Sequence, residues 1–374
     1  MPEAAGRPVV WLLDGLEAGG AERLAVQFAS SPTRWPVWLV GLRPPRGVSG
    51  QAAWGADWDG VAGRVHGAGM QGLRDVAGWW RLERWLRHLQ PRLLHAHLRY
   101  ATCIGGRLAQ RLRVPLVTTV HVEPALERGR GRWVARWERA ERRRAARVIY
   151  VTEAQRAAWG RTAARERAVV LGNGVALPAA GVGRREQRRR LGLDPAATVL
   201  LTVAVVRAAK GWRTWLRAAE QVALACPGAH FVWVGGGEEW PALRAAAAQM
   251  VESGRMTLPG ARPDVGAWLE ASDLFLFPSL GEAQPTAVME AMAAGLPIIA
   301  SRLGASVEVM GECGCYVRPG DAGELAQAAM AWCGPQRERA ARAGEAARRR
   351  AEEAWSQARW RRRLEQLYEE VLAE

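Results

Sequence analysis

Short apolar runs alternate along the first half of the chain with longer segments whose apolar positions recur at helical spacing. This alternation is typical of βαβ units arranged around a parallel sheet. The predicted strands are Val9–Leu13, Val37–Val40, Leu93–His97, Leu116–His121 and Val148–Thr152. The predicted helices between them are Ala21–Ala29, Val76–Leu89, Ala101–Leu112 and Arg132–Ala145.

The alternation returns after a Gly/Pro-rich stretch, Gly172 to Val182, and a charged run, Arg184 to Arg190, so we place a domain linker there. The later predicted strands are Thr198–Val206, His230–Val234, Met256–Leu258, Leu274–Phe277, Pro297–Ala300 and Cys315–Val317. One helix between them carries an apolar stripe that we expect to face a core: Trp212, Trp215, Leu216, Ala219, Val222 and Ala223. The residue pattern of the tail, Arg337 to Glu374, predicts a helix with an apolar face. The fold class is α/β, with doubly wound domains over 1–178 and 190–350 and a ligand cleft between them.

The composition fits two buried cores, because the 374 residues are 49% apolar. No run approaches the ~18 consecutive apolar residues of a membrane span, and Glu3 and Asp14 interrupt the region where a signal peptide would be apolar. The five cysteines are scattered, without the paired spacing of a zinc site. We therefore expect a cytoplasmic protein with reduced thiols.

The charge is strongly positive, with 52 basic and 37 acidic residues and a formal net charge of +15. This excess favours anionic partners such as nucleic acid, a nucleotide-bearing substrate or an anionic membrane. Nearly all cations are arginine, and Lys210 is the one lysine. A lysine kept where arginine replaces it elsewhere indicates a function for its compact ammonium group.

The segment Pro278 to Pro297 has the sharpest chemical pattern. A predicted strand ends at Pro278, and Pro285 is placed as the first residue of a helix, where its missing N–H costs nothing. The amides of Thr286 and Ala287 would then form an anion site at the helix N-terminus. Glu282 precedes this helix and Glu290 lies on the same helical face as Thr286. Two carboxylates beside a phosphate site suit hydrogen bonds to sugar hydroxyls.

Two other loops follow predicted strands. Arg207 and Lys210 emerge at a strand's carboxyl end, where α/β folds bind ligands, and two cations there suit a pyrophosphate. Gly19 and Gly20 lie between the first strand and the first helix, and allow close backbone approach to a ligand. Neither a G-x-G-x-x-G nor a Walker motif is present, which argues against dinucleotide oxidoreductases and P-loop enzymes.

Three histidines lie at predicted strand ends. His121 closes the run VTTVHVE, while His95 and His97 close LLHAH. A histidine at such a position can hydrogen-bond a polar substrate group or transfer a proton. A structural histidine with satisfied hydrogen bonds is equally common, so both interpretations stay open, with function favoured more for His121.

The motifs together resemble the retaining glycosyltransferases of the GT-B fold, in glycosyltransferase family 4, over nearly the whole chain. The matching motifs are GGAE at Gly19 to Glu22, LLHAH at Leu93 to His97, TTVH at Thr118 to His121, NGV at Asn173 to Val175, KG at Lys210 and Gly211, VGGGEE at Val234 to Glu239, and SLGEAQPTAVMEAMAAGLP. The last is similar to the family's signature of two glutamates, with Glu282 and Glu290 in the two places.

The resemblance implies two Rossmann-like domains in GT-B architecture and a nucleotide-diphosphate sugar, UDP- or GDP-linked, as donor. It implies that Arg207 and Lys210 clamp the diphosphate, that Glu290 binds the ribose and that Glu282 binds the transferred sugar. Gly19 and Gly20 would close on the phosphate and sugar, and His121 would bond the sugar near the reacting carbon. The tail helix, about 355–374, is similar to the family's terminal helix that returns to the first domain.

The resemblance also implies transfer with retained anomeric configuration, in which the donor's own phosphate oxygen takes the acceptor proton. No cofactor beyond the donor and no metal is expected. Asp57-Trp58-Asp59 spells the D-x-D metal motif of a different fold, but its Gly/Trp-rich context predicts a surface loop. The chain departs from the family at Ala283 and Gln284, and at Val205, where many members have arginine.

The acceptor is expected to be a glycan or a lipid-linked molecule, in bacterial envelope or polysaccharide synthesis. Residues 127–147 carry nine arginines and three glutamates, with Trp133 and Trp137 four residues apart. Such a helix suits either peripheral contact with the cytoplasmic face of an anionic membrane or a solvated surface with both tryptophans in the core.

Two other function classes stay open at this stage. A nucleotide-sugar 2-epimerase shares the architecture, although the Glu282 and Glu290 signature argues against it. A basic nucleic-acid-binding protein would explain the net charge, but no nucleic-acid motif is present, so no nucleic acid is expected as partner.

Overall fold

A computed structural model describes residues 6–16, 20–44, 56–122, 124, 131–178 and 181–374. The chain divides into two compact units. Unit 1 consists of residues 1–174 and 358–374, and unit 2 of residues 175–357. Each unit is built around its own parallel sheet, so the α/β fold class predicted from the alternating pattern is confirmed.

Unit 1 contains a sheet in the order β3-β2-β1-β4-β5-β6-β7, with parallel pairing throughout its described strands. These strands are β1 (Val9–Leu13), β2 (Val37–Gly41), β3 (Val65–Gly67), β4 (Leu93–His97), β5 (Leu116–Val120), β6 (Arg147–Tyr150) and β7 (Ala168–Val170). The helices described in this unit are Gly20–Ser30, Ala56–Asp59, Val76–Leu89, Leu98–Leu112, Arg132–Arg144, Glu153–Trp159 and nearly all of Gln357–Ala373.

Unit 2 contains a sheet in the order β10-β9-β8-β11-β12-β13, again parallel. Its strands are β8 (Thr198–Val203), β9 (Ala229–Val234), β10 (Met256–Gly260), β11 (Leu274–Phe277), β12 (Ile298–Ser301) and β13 (Cys315–Val317). Its helices are Arg184–Arg190, Trp212–Ala225, Trp240–Ala246, Ala248–Glu252, Val265–Ala271, Thr286–Ala293, Gly304–Met310, Ala322–Cys333 and Arg337–Ala354.

Both faces of each sheet are covered, as the continuous apolar strands require. Val10 and Leu12 of β1 enter one core of unit 1, while Trp11 enters the core on the opposite face. In unit 2, the stripe predicted on the helix Trp212–Ala225 is buried against the sheet, which confirms that it serves packing.

The tail forms two helices with different packing faces. Arg337–Ala354 buries small residues, and a side chain at Gly344 would place its Cβ 2.4 Å from the Gly295 carbonyl, so this helix lies very close to neighbouring backbone. The helical conformation is interrupted at Trp355 and Ser356. Gln357–Ala373 buries larger residues in a core of unit 1: Trp360, Leu364, Leu367, Tyr368 and Val371.

Several predicted boundaries differ from the structure. The strands β3 and β7 escaped prediction, because these outermost strands have three residues each and lack a buried apolar run. The charged run Arg184–Arg190 is a helix within unit 2, where Arg188 is buried and donates to the Ala271 carbonyl at 2.8 Å. The D-x-D segment is a helical turn, Ala56–Asp59, instead of a loop.

Candidate active site

The candidate site of unit 2 lies where the order of its strands reverses. The chain passes from β8 to β9 on one side of β8, and β11 pairs with β8 on the other side. In open α/β sheets, the loops that leave the carboxyl ends of strands at such a point form a crevice that binds ligands. The loop 204–211 follows β8 and the loop 278–285 follows β11, so the two predicted motifs meet here.

Backbone contacts hold these two loops together. Leu280 N donates to the Ala209 carbonyl at 2.8 Å. Gly211 has a positive φ of 68°, and a Cβ there would lie 2.1 Å from the Pro278 carbonyl oxygen. Glycine is therefore required at this position both for its backbone conformation and for the close approach of the second loop.

The side chains of Lys210 and Glu282 form an ion pair in this crevice. Lys210 Nζ donates to Glu282 Oε1 at 2.5 Å, and the two side chains are 16% and 9% exposed. The hydroxyl of Ser279 donates to the same oxygen at 2.7 Å. The structure thus brings together two residues that the sequence placed 72 positions apart, and each neutralises the other's charge.

Arg207 lies in the same loop as Lys210, and its side chain is exposed. It begins the short 3₁₀ turn Ala208–Lys210, in extended conformation, and within the described chain no acceptor for its guanidinium is seen. An exposed guanidinium at a strand end remains available to an anionic ligand.

Glu239, in the loop that follows β9, accepts hydrogen bonds that hold the loop containing Lys210 in place. Its carboxylate accepts hydrogen bonds from the Ala208 amide at 2.5 Å, from Trp212 Nε1 at 2.9 Å and from Arg213 Nη1 at 2.7 Å. The bonds from Trp212 and Arg213 contribute most to holding the pKa of Glu239 below its ordinary value. The sequence motif contained this residue without a role for it. The sequence feature that could have indicated its role is a carboxylate that follows three glycines at the end of a strand.

The helix Thr286–Ala293 begins one residue later than predicted. Pro285 caps the helix instead of opening it, and the Thr286 amide donates to the Gln284 carbonyl at 3.0 Å. The Thr286 amide is therefore engaged within its own loop in this conformation, and its use for an anion stays a prediction. Ala287 lies in the first turn and Glu290 is half-buried in the second turn.

In unit 1, the three predicted histidines form one buried cluster. His97 Nδ1 lies 2.9 Å from His121 Nε2, and His95 lies 2.5 Å from the Tyr368 hydroxyl and 2.7 Å from Thr119 Oγ1. Burial lowers the pKa of His121 to about 4 and holds those of His95 and His97 well below the usual range. All three rings are thus neutral at pH 7, and His95 has a structural role.

A cavity of about 10 Å³ lies beside these rings. This space holds one water at most and no sugar. His121 directly follows β5 and is only partly exposed, so any bond to a substrate would come from its Nδ1.

A carboxylate to which the sequence pattern assigns no role directly follows the first strand. Asp14 Oδ1 accepts from the Ala101 amide at 2.8 Å, at the start of the helix Leu98–Leu112. Burial raises the pKa of Asp14 to about 6, although this amide and the Arg43 guanidinium act in the opposite direction. Gly20 begins the first helix, and a Cβ there would meet no atom within 4 Å. Gly19 lies outside the described residues.

Two further features of the described residues concern metals and membranes. Across the described ranges, no group of three or more His, Cys, Asp and Glu side chains is placed to hold a metal ion. None of the helices described above is both long and apolar enough to cross a bilayer. The five cysteines are free thiols.

Both halves of the chain match glycosyltransferase family models. Residues 18–177 match the model described as Glycosyltransferase Family 4, and residues 197–333 match that described as Glycosyl transferases group 1. The structure superposes on Anabaena Alr3699/HepE in complex with UDP-glucose, with a TM-score of 0.83, 19% identity, and coverage of 97% of this chain and 99% of that one. The chain therefore belongs to the glycosyltransferases of GT-B fold.

Two curated relatives match part of the chain. The 2-deoxystreptamine N-acetyl-D-glucosaminyltransferase of Streptomyces fradiae is 29% identical over 264 residues, covering 65% of this chain and 63% of that protein. The N,N'-diacetylbacillosaminyl-diphospho-undecaprenol alpha-1,3-N-acetylgalactosaminyltransferase of Campylobacter jejuni is 38% identical over 82 residues, covering 22% of this chain and 21% of that protein. The matches thus span less than two thirds of either relative.

Proposed function

We propose that this chain is a retaining family 4 glycosyltransferase that moves a sugar from a UDP- or GDP-linked donor to a glycan or lipid-linked acceptor. The observation that carries the proposal is the Lys210 and Glu282 pair at the carboxyl edge of the unit 2 sheet. A cation for phosphate and a carboxylate for sugar hydroxyls stand together at the position where α/β sheets bind ligands. We place the activity in the cytoplasm, in bacterial envelope or polysaccharide synthesis.

The donor would displace Glu282 from Lys210. Lys210 and Arg207 would bind the diphosphate, and Glu282 would then accept hydrogen bonds from the transferred sugar. Glu290 would bind the ribose hydroxyls. The first turn of the helix that follows Pro285, including Thr286 and Ala287, would direct its dipole toward the phosphate.

The reaction would break the bond between the sugar's anomeric carbon and the diphosphate oxygen, and form a bond from the acceptor oxygen on the same face. The acceptor's hydroxyl proton would pass to the departing phosphate oxygen. Negative charge grows on the diphosphate in this step, so the cations of Lys210 and Arg207 stabilise the transition state more than the ground state. The proposed reaction requires no cofactor or metal besides the donor.

His121 would contribute from unit 1. A neutral imidazole suits a hydrogen bond to a sugar hydroxyl near the reacting carbon, because it brings no positive charge to that position. The loop containing Gly19 and Gly20 would approach the phosphate and sugar through its backbone.

The acceptor class is inferred from the names of the curated relatives. According to their names, one transfers N-acetylglucosamine to 2-deoxystreptamine and the other transfers N-acetylgalactosamine to a diphospho-undecaprenol-linked sugar. The second name supports a lipid-linked saccharide as acceptor, whereas 2-deoxystreptamine is a free aminocyclitol, and the two acceptors share only their hydroxyl groups.

The test is a thermal-shift and calorimetric comparison of the purified chain with UDP, GDP, ADP and their common sugars. A ligand that binds only the folded state raises the melting temperature, so one nucleotide should stabilise selectively. The product anomer, read by NMR once an acceptor is found, should match the donor's. Conversion of the donor sugar at C2 without acceptor would favour the epimerase hypothesis. Failure of every nucleotide to bind would refute the proposal.

A further inference from the structure

A cavity of about 440 Å³ lies at the amino edge of the unit 1 sheet. Its lining includes the residues directly before three adjacent strands: Pro115 before β5, Ala146 before β6 and Arg167 before β7. His121 follows the opposite end of β5, so roughly 20 Å of extended chain lies between Pro115 and His121. The cavity is therefore separate from the histidine cluster. Its volume is in the range of small-molecule sites, about 300 to 1,000 Å³.

Two helices of unit 1 end at this cavity. The helix Leu98–Leu112 closes at Arg113, whose backbone is left-handed with a φ of 55°. The helix Arg132–Arg144 packs closely against it because Gly106 has no side chain, and a Cβ there would lie 2.7 Å from the Glu141 side chain. This close packing brings the last turns of both helices, and the side chains that they carry, to one concave surface.

Positive charge dominates the lining of the cavity. Glu141 is the one carboxylate among the described lining residues, and its side chain is 2% exposed. Its oxygens accept from Gln110 Nε2 and from Trp137 Nε1, each at 2.9 Å. Four exposed arginines line the same cavity: Arg113, Arg143, Arg144 and Arg167. One carboxylate, already bonded on its inner side, therefore faces four guanidinium groups.

The ion pairs of these arginines are few and exposed. Arg144 lies 3.5 Å from Glu141, and Arg167 lies 3.0 Å from Glu374. The two arginine side chains are 60% and 65% exposed, and ion pairs in contact with water contribute little to stability. Arg113 and Arg143 have no acceptor or ion-pair partner in the part of the chain that the structure describes. All four guanidinium groups can therefore turn toward an anion at little cost.

Helix capping accounts for only part of this charge. Cations near a helix C-terminus offset the negative end of the helix dipole, which amounts to about half a charge for each helix. The two helix ends and the Glu141 carboxylate together balance about two of the four guanidinium groups. Positive charge thus remains in the cavity for a ligand.

We propose that this cavity binds a small molecule that bears phosphate groups. Guanidinium groups bind phosphate oxygens through paired N–H donors, which a planar fork holds in place. Ala109, Leu116 and Ala145 also line the cavity, are buried, and offer apolar contact to the rest of such a molecule. A few polar groups beside apolar lining are typical of small-molecule sites. This site is built from unit 1 alone and needs none of the residues proposed to bind the donor.

The test is calorimetric titration of the full chain with inorganic pyrophosphate. The protein titrated carries Lys210→Ala and Arg207→Gln, which remove the cations proposed for the donor's diphosphate, and pyrophosphate should still bind it at one saturable site. Adding Arg113→Gly and Arg143→Gln should weaken this binding about tenfold or more, because two charge-assisted contacts are lost. Glycine is favoured at a left-handed helix end, so the change at position 113 keeps the fold.

The matched control removes two other exposed arginines of unit 1. Arg107→Gln with Arg161→Gln lowers the net charge equally but lies outside the cavity lining, and should leave pyrophosphate affinity nearly unchanged apart from a salt-dependent effect. Equal weakening by the control pair would overturn the proposal, as would absence of pyrophosphate binding before Arg113 and Arg143 are changed. Melting temperatures verify that each variant is folded. With Lys210 intact, Arg113→Gly with Arg143→Gln should keep the nucleotide affinity, which separates this proposal from the function of unit 2.

Discussion

The ammonium group of Lys210 lies 2.5 Å from Glu282 Oε1, at the edge of the unit 2 sheet where the predicted donor would bind. The two residues proposed to hold the donor's phosphate and its sugar therefore hold each other when no donor is present. Binding must exchange one ion pair for two new sets of contacts. Because the same ion pair must open for both contacts, the affinity for the nucleotide depends on the affinity of Glu282 for the sugar.

Lys210→Ala should weaken binding of the nucleoside diphosphate by about 10- to 100-fold, because a charge-assisted contact to phosphate is removed. Calorimetry with the nucleotide selected by the thermal screen measures this. Lys210→Arg keeps the charge and should restore part of the affinity. Since Lys210 is the one lysine of the chain, acylation of lysine side chains, as distinct from the α-amine, reports on it, and the nucleotide should protect it. Unchanged affinity in Lys210→Ala would remove Lys210 from the site.

Glu282→Gln should separate the two halves of the donor. The change frees Lys210 for phosphate, so binding of the bare nucleoside diphosphate should be kept or tightened by up to about tenfold, while the advantage of the sugar-bearing donor is lost. Paired titrations with the nucleotide and its sugar measure the difference. Ser279→Ala leaves the ion pair in place and serves as control. Equal weakening of both ligands in Glu282→Gln would contradict the exchange.

Gly211→Ala should both destabilise unit 2 and lower nucleotide affinity. Its Cβ would lie 2.1 Å from the Pro278 carbonyl, at a φ of +68°. Backbone displacement on this scale costs about 3 kcal/mol. Gly254→Ala is the matched control, because Gly254 has a φ of +70° with no atom within 4 Å of the added Cβ. That variant should cost about 1 kcal/mol and leave binding intact. Similar melting temperatures for both variants would show that the contact with Pro278 is unimportant.

The buried histidines should make unit 1 less stable in mild acid. The pKa of His121 is about 4 when folded and near 6.5 when unfolded, so the unfolded chain binds more protons as the pH falls below 6.5. Between pH 6.5 and 4.5 this one residue should cost roughly 2 kcal/mol of unfolding free energy. His95 and His97 act in the same direction.

Asp14 acts in the opposite direction. Its pKa is raised to about 6 in the folded protein, so its ionised carboxylate destabilises the fold above that pH. Protonation of Asp14 in acid removes this destabilisation. His121→Gln isolates the histidine contribution, since the Asp14 contribution is common to both proteins. The loss of unfolding free energy on acidification, from urea titrations at several pH values, should be smaller in the variant. Parallel pH profiles for the two proteins would contradict the assignment.

Tyr368→Phe should weaken the packing of the terminal helix against the rest of unit 1. The hydroxyl lies 2.5 Å from His95 Nδ1 in a buried site, and its removal leaves a buried ring nitrogen without this partner, at about 1 to 3 kcal/mol. Tyr316→Phe serves as comparison, because Tyr316 is half-buried and its hydroxyl bonds a backbone carbonyl, that of Gly311. Tyr368→Phe should cost clearly more in urea unfolding; equal costs would argue against a special role for the Tyr368 contact.

Much of the fold follows from local patterns in the sequence. β1, β4, β11 and β13 match their predicted bounds, since each is a short, mostly apolar run bounded by a clear change of pattern. The helix Val76–Leu89 also matches, because Asp75 caps its start. The edge strands β3 and β7 have no such signal. The charged run Arg184–Arg190 was mistaken for linker because the burial of Arg188 depends on Asp273 and on carbonyls far along the chain.

The candidate site divides in the same way. Residue type and position after a strand were enough to select Arg207, Lys210, Glu282 and His121, because chemistry and strand ends are local properties. The pairing of Lys210 with Glu282, the fastening of the loop by Glu239 and the inward bond of His121 were not accessible from the pattern. Each of these contacts joins residues at least 24 positions apart in the sequence; His97 and His121 are separated by 24 positions.

The sequence by itself determined the α/β class, the alternation of elements, the core-facing stripes and the motifs at the strand ends, because these depend on residue spacing within one element. Only the tertiary structure decided which loops meet and which charges neutralise each other. Those outcomes depend on the order of strands in each sheet and on the burial that follows from it, and neither is encoded in any single segment of the chain.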